Sequence, residues 1–216
     1  MDGLEKFPFY KDLTQEEKDS CAGCVRTRSF RRGEAVHRGD CTGLIYVQSG
    51  RLRVYTLSEE GREFTLYRLV AGDVCLLSAS CALQNIQFDV FIAAETDSVL
   101  LILPSAEYGR LASRSLAVSN YTNGLMAERF SRAMWVLGEV IGKKFGARLA
   151  SLLLRESEFA GSSELRLTHE QLAAHLGCVR EAVSRTLKYF EEEGYVSLSR
   201  GGICITDAPA LSALAG

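Results

Sequence analysis

The chain has 216 residues and a formal net charge of −2. No stretch of it reaches the roughly 18 consecutive apolar residues of a membrane helix, and seven scattered cysteines are unlike the dense, even framework of a small secreted domain. This balance excludes a uniformly basic nucleic-acid protein, so any claim of DNA binding must rest on where individual charges lie. The length suits a domain of about 130 residues followed by one of about 70. Met1-Asp2-Gly3-Leu4-Glu5-Lys6 has no apolar signal-peptide core. A cytoplasmic protein with reduced thiols (Cys21, Cys24, Cys41, Cys75, Cys81, Cys178, Cys204) is therefore expected.

Thr14 to Val25 reads as a short helix with Thr14 as N-cap and Glu17 at the capping-box position. The period then changes. Leu44 to Val47, Arg51 to Leu57, Arg62 to Leu69, Phe88 to Ala94 and Val99 to Leu103 are short strand-like runs, most of them ended by Gly-containing turns, the rhythm of a sandwich or barrel. After Pro104 the strand signal stops, and Ser115 to Lys143 contains neither proline nor a turn cluster. Val118, Tyr121, Leu125, Met126, Phe130, Ala133, Met134, Leu137 and Ile141 recur there at three- and four-residue spacing. A helix of nearly thirty residues spans on the order of 40 Å, more than a small barrel covers, so part of this stripe is expected to self-associate.

Gly142 and Gly146 bracket a hinge, after which Arg148 to Leu154 starts a helix that ends before Ala160-Gly161-Ser162-Ser163. Thr168 is a good N-cap, with Gln171 at the capping-box position, for a helix whose Leu172, Ala173 and Leu176 face inward. Gly177 permits a tight turn, and a second helix runs from about Val179 to Glu192. At 100° per residue, Val179, Val183, Leu187 and Phe190 fall on one arc, and Arg180, Glu181, Ser184, Arg185 and Lys188 on the other. In a major groove, arginine can donate twice to guanine and glutamate can accept from the cytosine amino group. Gly194 stops the helix, and Tyr195 to Leu198, the Arg200-Gly201-Gly202 turn and Ile203 to Thr206 form a hairpin wing.

The run Leu167 to Thr206, centred on Gly177-Cys178-Val179-Arg180-Glu181-Ala182-Val183-Ser184-Arg185, resembles the recognition motif of the cyclic-AMP receptor/fumarate-nitrate regulator (Crp/Fnr) family. The likeness extends to the strand-rich part with its Gly39-Asp40 and Gly72-Asp73 turns, to the long helix, and to Arg148-Leu149-Ala150. It implies an α+β architecture: an N-terminal cyclic-nucleotide-binding-like β-sandwich (jelly roll) over 1–114, a long dimerisation helix and hinge over 115–143, and a C-terminal winged helix-turn-helix over 144–216. By that resemblance Arg180, Glu181 and Arg185 match base-reading residues of the cyclic-AMP receptor branch, and Glu181, Ser184 and Arg185 those of the fumarate-nitrate branch. Thr168, His169 and Lys188 match phosphate contacts. The partners implied are palindromic double-stranded DNA, a second copy of the chain, an effector, and RNA polymerase, with no membrane. From Lys144 to Gly216 eight Lys and Arg stand against nine Asp and Glu, so specific, dimer-dependent binding with weak non-specific affinity is expected.

The effector is less legible. Cyclic-nucleotide binders of the family hold ribose and phosphate with a Gly-Glu pair and an Arg-Ser/Thr pair. Gly72 to Val90 has neither that glutamate nor any arginine, so a cyclic phosphate would lack a charge-assisted partner and an effector other than cyclic AMP is expected. Cys75, Leu76, Ser78, Ser80, Cys81, Phe130 and Met134 are the candidate effector residues. Haem or redox sensing through Cys75 and Cys81 stays open, although Leu77 stands where a histidine would help. So does an apolar small molecule, and so does plain packing of two buried cysteines. Cys21-x-x-Cys24 suggests an iron–sulfur site, but the next cysteine is Cys41 and four thiolates are required.

Two rival functions remain. A thiol redox enzyme would use Cys21 and Cys24, yet a redox CxxC normally heads a helix in a βαβ setting, whereas this one lies within a helix before the first strand. A cyclic-nucleotide-responsive module without DNA binding would leave the helix-turn-helix unexplained. No metal-ligand spacing joins His37, His169 and His175, no cofactor is assigned, and the expectation is a regulator rather than an enzyme.

Overall fold

The computed structural model describes residues 3–39, 41–82 and 89–216, excepting the side chains of Ser80, Cys81, Ala82 and Glu139. It separates into two compact units, one of residues 1–57 with 66–133, the other of 58–65 with 134–216.

The first unit opens with two short 3-10 turns and helix α1 (Gln15–Ser20). Thr14 and Glu17 close the expected capping box: Glu17 N–H donates to Thr14 Oγ1 at 3.3 Å and Thr14 N–H to Glu17 Oε2 at 2.8 Å. The helix is shorter than expected, with Cys21 as its C-cap, so Cys21-x-x-Cys24 lies across a helix end and the following turn rather than inside a helix.

Among the described residues eight strands follow: β1 (Arg26–Phe30), β2 (Ala35–Arg38), β3 (Leu44–Ser49), β4 (Arg51–Leu57), β5 (Glu63–Val70, whose first three residues are counted with the second unit), β6 (Val74–Cys75), β7 (Phe91–Ala94) and β8 (Ser98–Leu103). They form two sheets, ordered β1-β8-β3-β6 and β2-β7-β4-β5. Gly50 makes the β3–β4 turn at φ 90°, and a Cβ there would lie 2.2 Å from Ser98 Oγ. Ile45, Val47, Leu52, Val54, Leu69, Cys75, Ile92, Leu100 and Ile102 fill the space between the sheets. The first sheet is buried on its other face too, where Leu44, Val74, Leu101 and Leu103 pack with Phe7, Phe9, Tyr108, Leu111 and Val118. This double burial explains the unbroken apolar run Val99 to Leu103, since successive strand residues point to opposite faces. β1 escapes sequence reading because its Arg-Thr-Arg-Ser segment is exposed throughout. Only its antiparallel ladder to β8 defines it.

Helix α2 (Ser105–Arg114) starts straight after Pro104; it was hidden by its shortness. Helix α3 (Leu116–Gly142) has 27 residues. Tyr108 and Thr122 hydroxyls join the two at 2.6 Å, and Thr122 also donates to the Val118 carbonyl. The apolar stripe of α3 divides as its length requires. Val118 and Leu125 are buried, but Phe130 is 68%, Met134 48%, Leu137 47% and Ile141 77% exposed.

The second unit carries α4 (Phe145–Ala160), β9 (Glu164–Leu165), α5 (His169–Leu176), α6 (Arg180–Glu192), β10 (Val196–Ser199), β11 (Gly202–Ile205) and α7 (Ala208–Ala215). Its sheet runs β10-β11-β9, so the expected hairpin gains a third strand. Leu149, Leu153, Leu172, Val183, Leu187, Phe190, Val196, Ile203 and Leu211 form one core. Neither β9 nor α7 was visible in the sequence. β9 has two residues, and α7 is apolar almost all round, with Asp207 accepting from the Ala210 amide as its cap. Among the described residues no helix is long and apolar enough to cross a membrane.

The thiols correct one expectation. Cys41 is disulfide-bonded, whereas Cys21, Cys24, Cys75, Cys178 and Cys204 stand outside any disulfide. Sequence spacing cannot reveal a bond that depends on two distant Cα atoms approaching within about 7 Å.

Candidate DNA-reading helix

Helix α5 is set at its start by a second capping box. Gln171 N–H donates to Thr168 Oγ1 at 3.1 Å, and Thr168 N–H to Gln171 Oε1 at 2.9 Å. Leu172, Ala173 and Leu176 are buried beneath it. Gly177 ends the helix in the left-handed region at φ 65°, donating to the Ala173 carbonyl. The chain therefore turns within three residues into α6.

The faces of α6 divide cleanly. Val183, Leu187 and Phe190 are at most 1% exposed, whereas Val179 is 45% exposed. Val179 is the N-cap in extended conformation, which takes it off the helical arc on which periodicity placed it. On the opposite arc Arg180, Glu181, Arg185 and Lys188 are exposed. Arg180, Glu181 and Arg185 make no side-chain hydrogen bond or ion pair within the described residues, so their groups are available to a ligand. Lys188 lies 3.9 Å from Glu192, both well exposed, a pairing worth little in water.

Ser184 differs from its neighbours. It is half-buried, its hydroxyl donates to the Arg180 carbonyl at 3.1 Å, and it lies 2.8 Å from Nδ1 of His169. With its proton given to Arg180, Ser184 Oγ accepts from His169 Nδ1–H, which leaves Nε2 as the outward atom of the ring. Thus one hydrogen bond ties the start of α5 to the middle of α6, joining two of the sequence-derived candidates. No spacing rule could have shown this pairing.

A second feature had no sequence signal at all. Residues 58–65 belong to this unit; Thr65 Oγ1 lies 2.8 Å from His175 Nδ1, and a Cβ at Gly177 would stand 2.6 Å from Cδ2 of Phe64. The turn between α5 and α6 is thereby covered by residues more than a hundred positions earlier.

The candidate effector residues whose side chains are described lie in different surroundings. Cys75 faces the inter-sheet core and Leu76 the opposite core. The Ser78 hydroxyl lies 2.7 Å from the Gly43 carbonyl and 2.9 Å from that of Cys75, so it holds its own loop. Phe130 and Met134 stand exposed on α3, and the side chains of Ser80 and Cys81 lie outside those described. Burial raises the thiol pKa of Cys75, and partial burial that of Cys178 beside the helix turn; the fully buried, protonated Cys75 thiol is unreactive. Among the described residues no three His, Cys, Asp or Glu side chains converge as a metal site.

Two family matches divide along the same lines. Residues 27–115 match the cyclic nucleotide-binding domain and residues 147–214 the Crp-like helix-turn-helix domain. The chain is 29% identical to the cyclic AMP receptor protein of Thermus thermophilus over 96% of both chains. It is 31% identical to the HTH-type transcriptional regulator Cmr of Mycobacterium tuberculosis, over 94% of this chain and 82% of that one. The crystal structure of a crp/fnr family protein from Eubacterium rectale superposes with a TM-score of 0.95 at 47% identity, covering 98% of this chain and 99% of the other. With an N-terminal double sheet, a long helix and an exposed arginine-bearing helix behind a capped turn, the chain belongs to the Crp/Fnr family of transcription regulators.

Proposed function

We propose that the chain acts in the cytoplasm as a homodimer that reads a palindromic operator and answers to an effector other than cyclic AMP. The observation that carries the DNA-reading part is the outer arc of α6, where Arg180, Glu181 and Arg185 are exposed and uncommitted while the inner arc is sealed in the core. Arginine supplies two donors for guanine and Glu181 an acceptor for cytosine. Ser184 acts with His169, and Thr168, His169 and Lys188 face the phosphates. Phosphate contacts fix register while base contacts specify.

Dimerisation is supported by Phe130, Met134, Leu137 and Ile141, a run of large apolar side chains that a monomer would leave in water. A two-fold dimer sets two recognition helices about one DNA turn apart. RNA polymerase is the further partner of a regulator so placed. The absence of arginine from Gly72 to Val90 supports control by something other than a cyclic nucleotide bound there.

The test is selection of binding sites from a random DNA pool by the full-length protein, followed by footprinting and sedimentation velocity. Recovery of a two-fold symmetric site by a dimer is expected. No enriched site, or tight binding by a monomer, overturns the reading.

A further inference from the structure

Ser184 shares the outer arc of α6 with Arg180, Glu181, Arg185 and Lys188, yet it alone of the five is half-buried, and its hydroxyl is engaged twice. It donates to the Arg180 carbonyl at 3.1 Å and lies 2.8 Å from Nδ1 of His169. A serine hydroxyl has a single proton. With that proton on the Arg180 carbonyl, the second contact requires Nδ1–H of His169 as its donor, and Ser184 has no donor left for a base edge.

The consequence falls on the imidazole. A neutral ring has one N–H and one bare nitrogen, so a proton fixed on Nδ1 leaves Nε2 with a lone pair. His169 is the first residue of α5, directly after the N-cap Thr168, in a turn whose amides favour an anion. A phosphate oxygen also offers lone pairs only, and two acceptors cannot bond. The ring can therefore serve a phosphate only as the imidazolium, with Nδ1–H still on Ser184 and a new Nε2–H in a charge-assisted bond. The charges around the pair are Glu170 on α5 and Arg180, Glu181, Arg185 and Lys188 on α6. Helix α4 also packs on α5, but its Arg148 acts on Cys178, and Thr65 meets His175, both at the far end of α5.

We propose that Ser184 is a positioning residue rather than a base reader, holding His169 in the tautomer that must gain a proton at Nε2 to dock on a DNA phosphate. Each half-site then takes up one proton from solvent, two for a dimer. The sign follows from linkage. The added affinity is fully present where the ring of the unbound protein is already protonated, and it is lost as pH rises until the bound ring also gives up its proton. Histidine changes charge between about pH 5 and 8, so this contact varies near neutrality, where an arginine in the same place would stay charged. The inference rests on the proposal that the outer arc of α6 reads DNA, and it adds a dependence on pH to that same site.

The experiment follows affinity of the full-length protein for its selected operator between about pH 6 and 8 at fixed salt. Calorimetry in two buffers of different ionisation enthalpy counts the protons, and nitrogen NMR of the histidine rings reads the tautomer without DNA. The wild type is expected to carry the His169 proton on Nδ1 and to lose affinity as pH rises, by roughly 5–10-fold per half-site and so roughly 25–100-fold for a dimer. His169→Gln should be flat with pH, and His169→Arg flat and tight. Ser184→Ala releases the ring to present an uncharged Nε2–H, so its pH profile should become shallower while the preferred operator stays the same. Ser184→Thr, which keeps a hydroxyl, should restore the profile. Operator binding that is flat with pH in the wild type overturns this inference alone. So does an Nε2–H ring in the unbound protein, a pH profile that survives in His169→Gln, or an altered operator preference in Ser184→Ala. No operator binding at any pH overturns the DNA-reading proposal and this inference with it.

Discussion

Replacement of Arg185 by alanine separates DNA reading from folding. Its side chain is exposed and joins no hydrogen bond or ion pair among the described residues, so its loss should change folding stability by no more than about 0.5 kcal/mol. If it makes a two-fold contact with guanine, each half-site loses about 1–3 kcal/mol. A dimer loses this twice, so affinity for the selected operator should fall between about 30-fold and about 2 × 10⁴-fold. Fluorescence anisotropy on the selected operator and on a scrambled duplex, at one fixed salt concentration, makes the measurement. Non-specific affinity should hardly move, and the melting temperature should stay within about 2 °C. Lys188→Ala is the internal contrast. Its loss should weaken both duplexes alike and reduce the salt dependence by about one counterion per half-site. Operator binding by Arg185→Ala within twofold of wild type, or equal losses on both duplexes, would refute base reading by this residue.

Three further outcomes follow from packing and capping. Leu187→Ala empties a site that is 0% exposed and should cost about 2–5 kcal/mol, seen as a lower denaturation midpoint together with lost DNA binding. Gly177→Ala places a side chain at φ 65° and 2.6 Å from the Phe64 ring, costing about 1–3 kcal/mol; adding Phe64→Ala should recover only the part due to contact, as a double-mutant cycle would show. The Glu17 carboxyl is held below its ordinary pKa of 4.5, chiefly by the Thr14 amide and then by Ser115. Its contribution to α1 is therefore complete above that ordinary value and disappears as pH falls through the lowered one. The protection factors of the first amides of α1, exchange rates corrected for the intrinsic pH dependence of exchange, should fall over that acid range in the wild type and stay flat with pH in Glu17→Gln.

What the sequence disclosed was local. Thr14 with Glu17 and Thr168 with Gln171 marked both capping boxes, because such a box is completed within four residues. The outward arc of α6 was legible because Val183, Leu187 and Phe190 keep one helical period. What it concealed was built from distant parts. β1 carries no apolar alternation and exists by pairing with β8; β9 is two residues held by β11. Val179 kept the period of the helix but lies one residue before it. The link from His169 to Ser184 joins separate elements with no spacing to announce it. Composition even argued against DNA binding, since residues 144–216 are not basic; the charges proposed to read DNA are three side chains on one arc.

The cover that residues 58–65 place over Gly177 also has a meaning in time. Thr65 and His175 are 110 positions apart, so at about 5–20 residues per second a ribosome makes the second of the pair about 5–20 s after the first. For that interval the Phe64 ring has no Gly177 turn to cover, and the reading head cannot be finished in the order in which it is made. A fragment cut to begin at residue 134 would inherit the complementary fault: a helix-turn-helix complete in sequence whose turn lacks its cover. The behaviour of that turn is therefore to be judged in a piece that carries residues 58–65 as well.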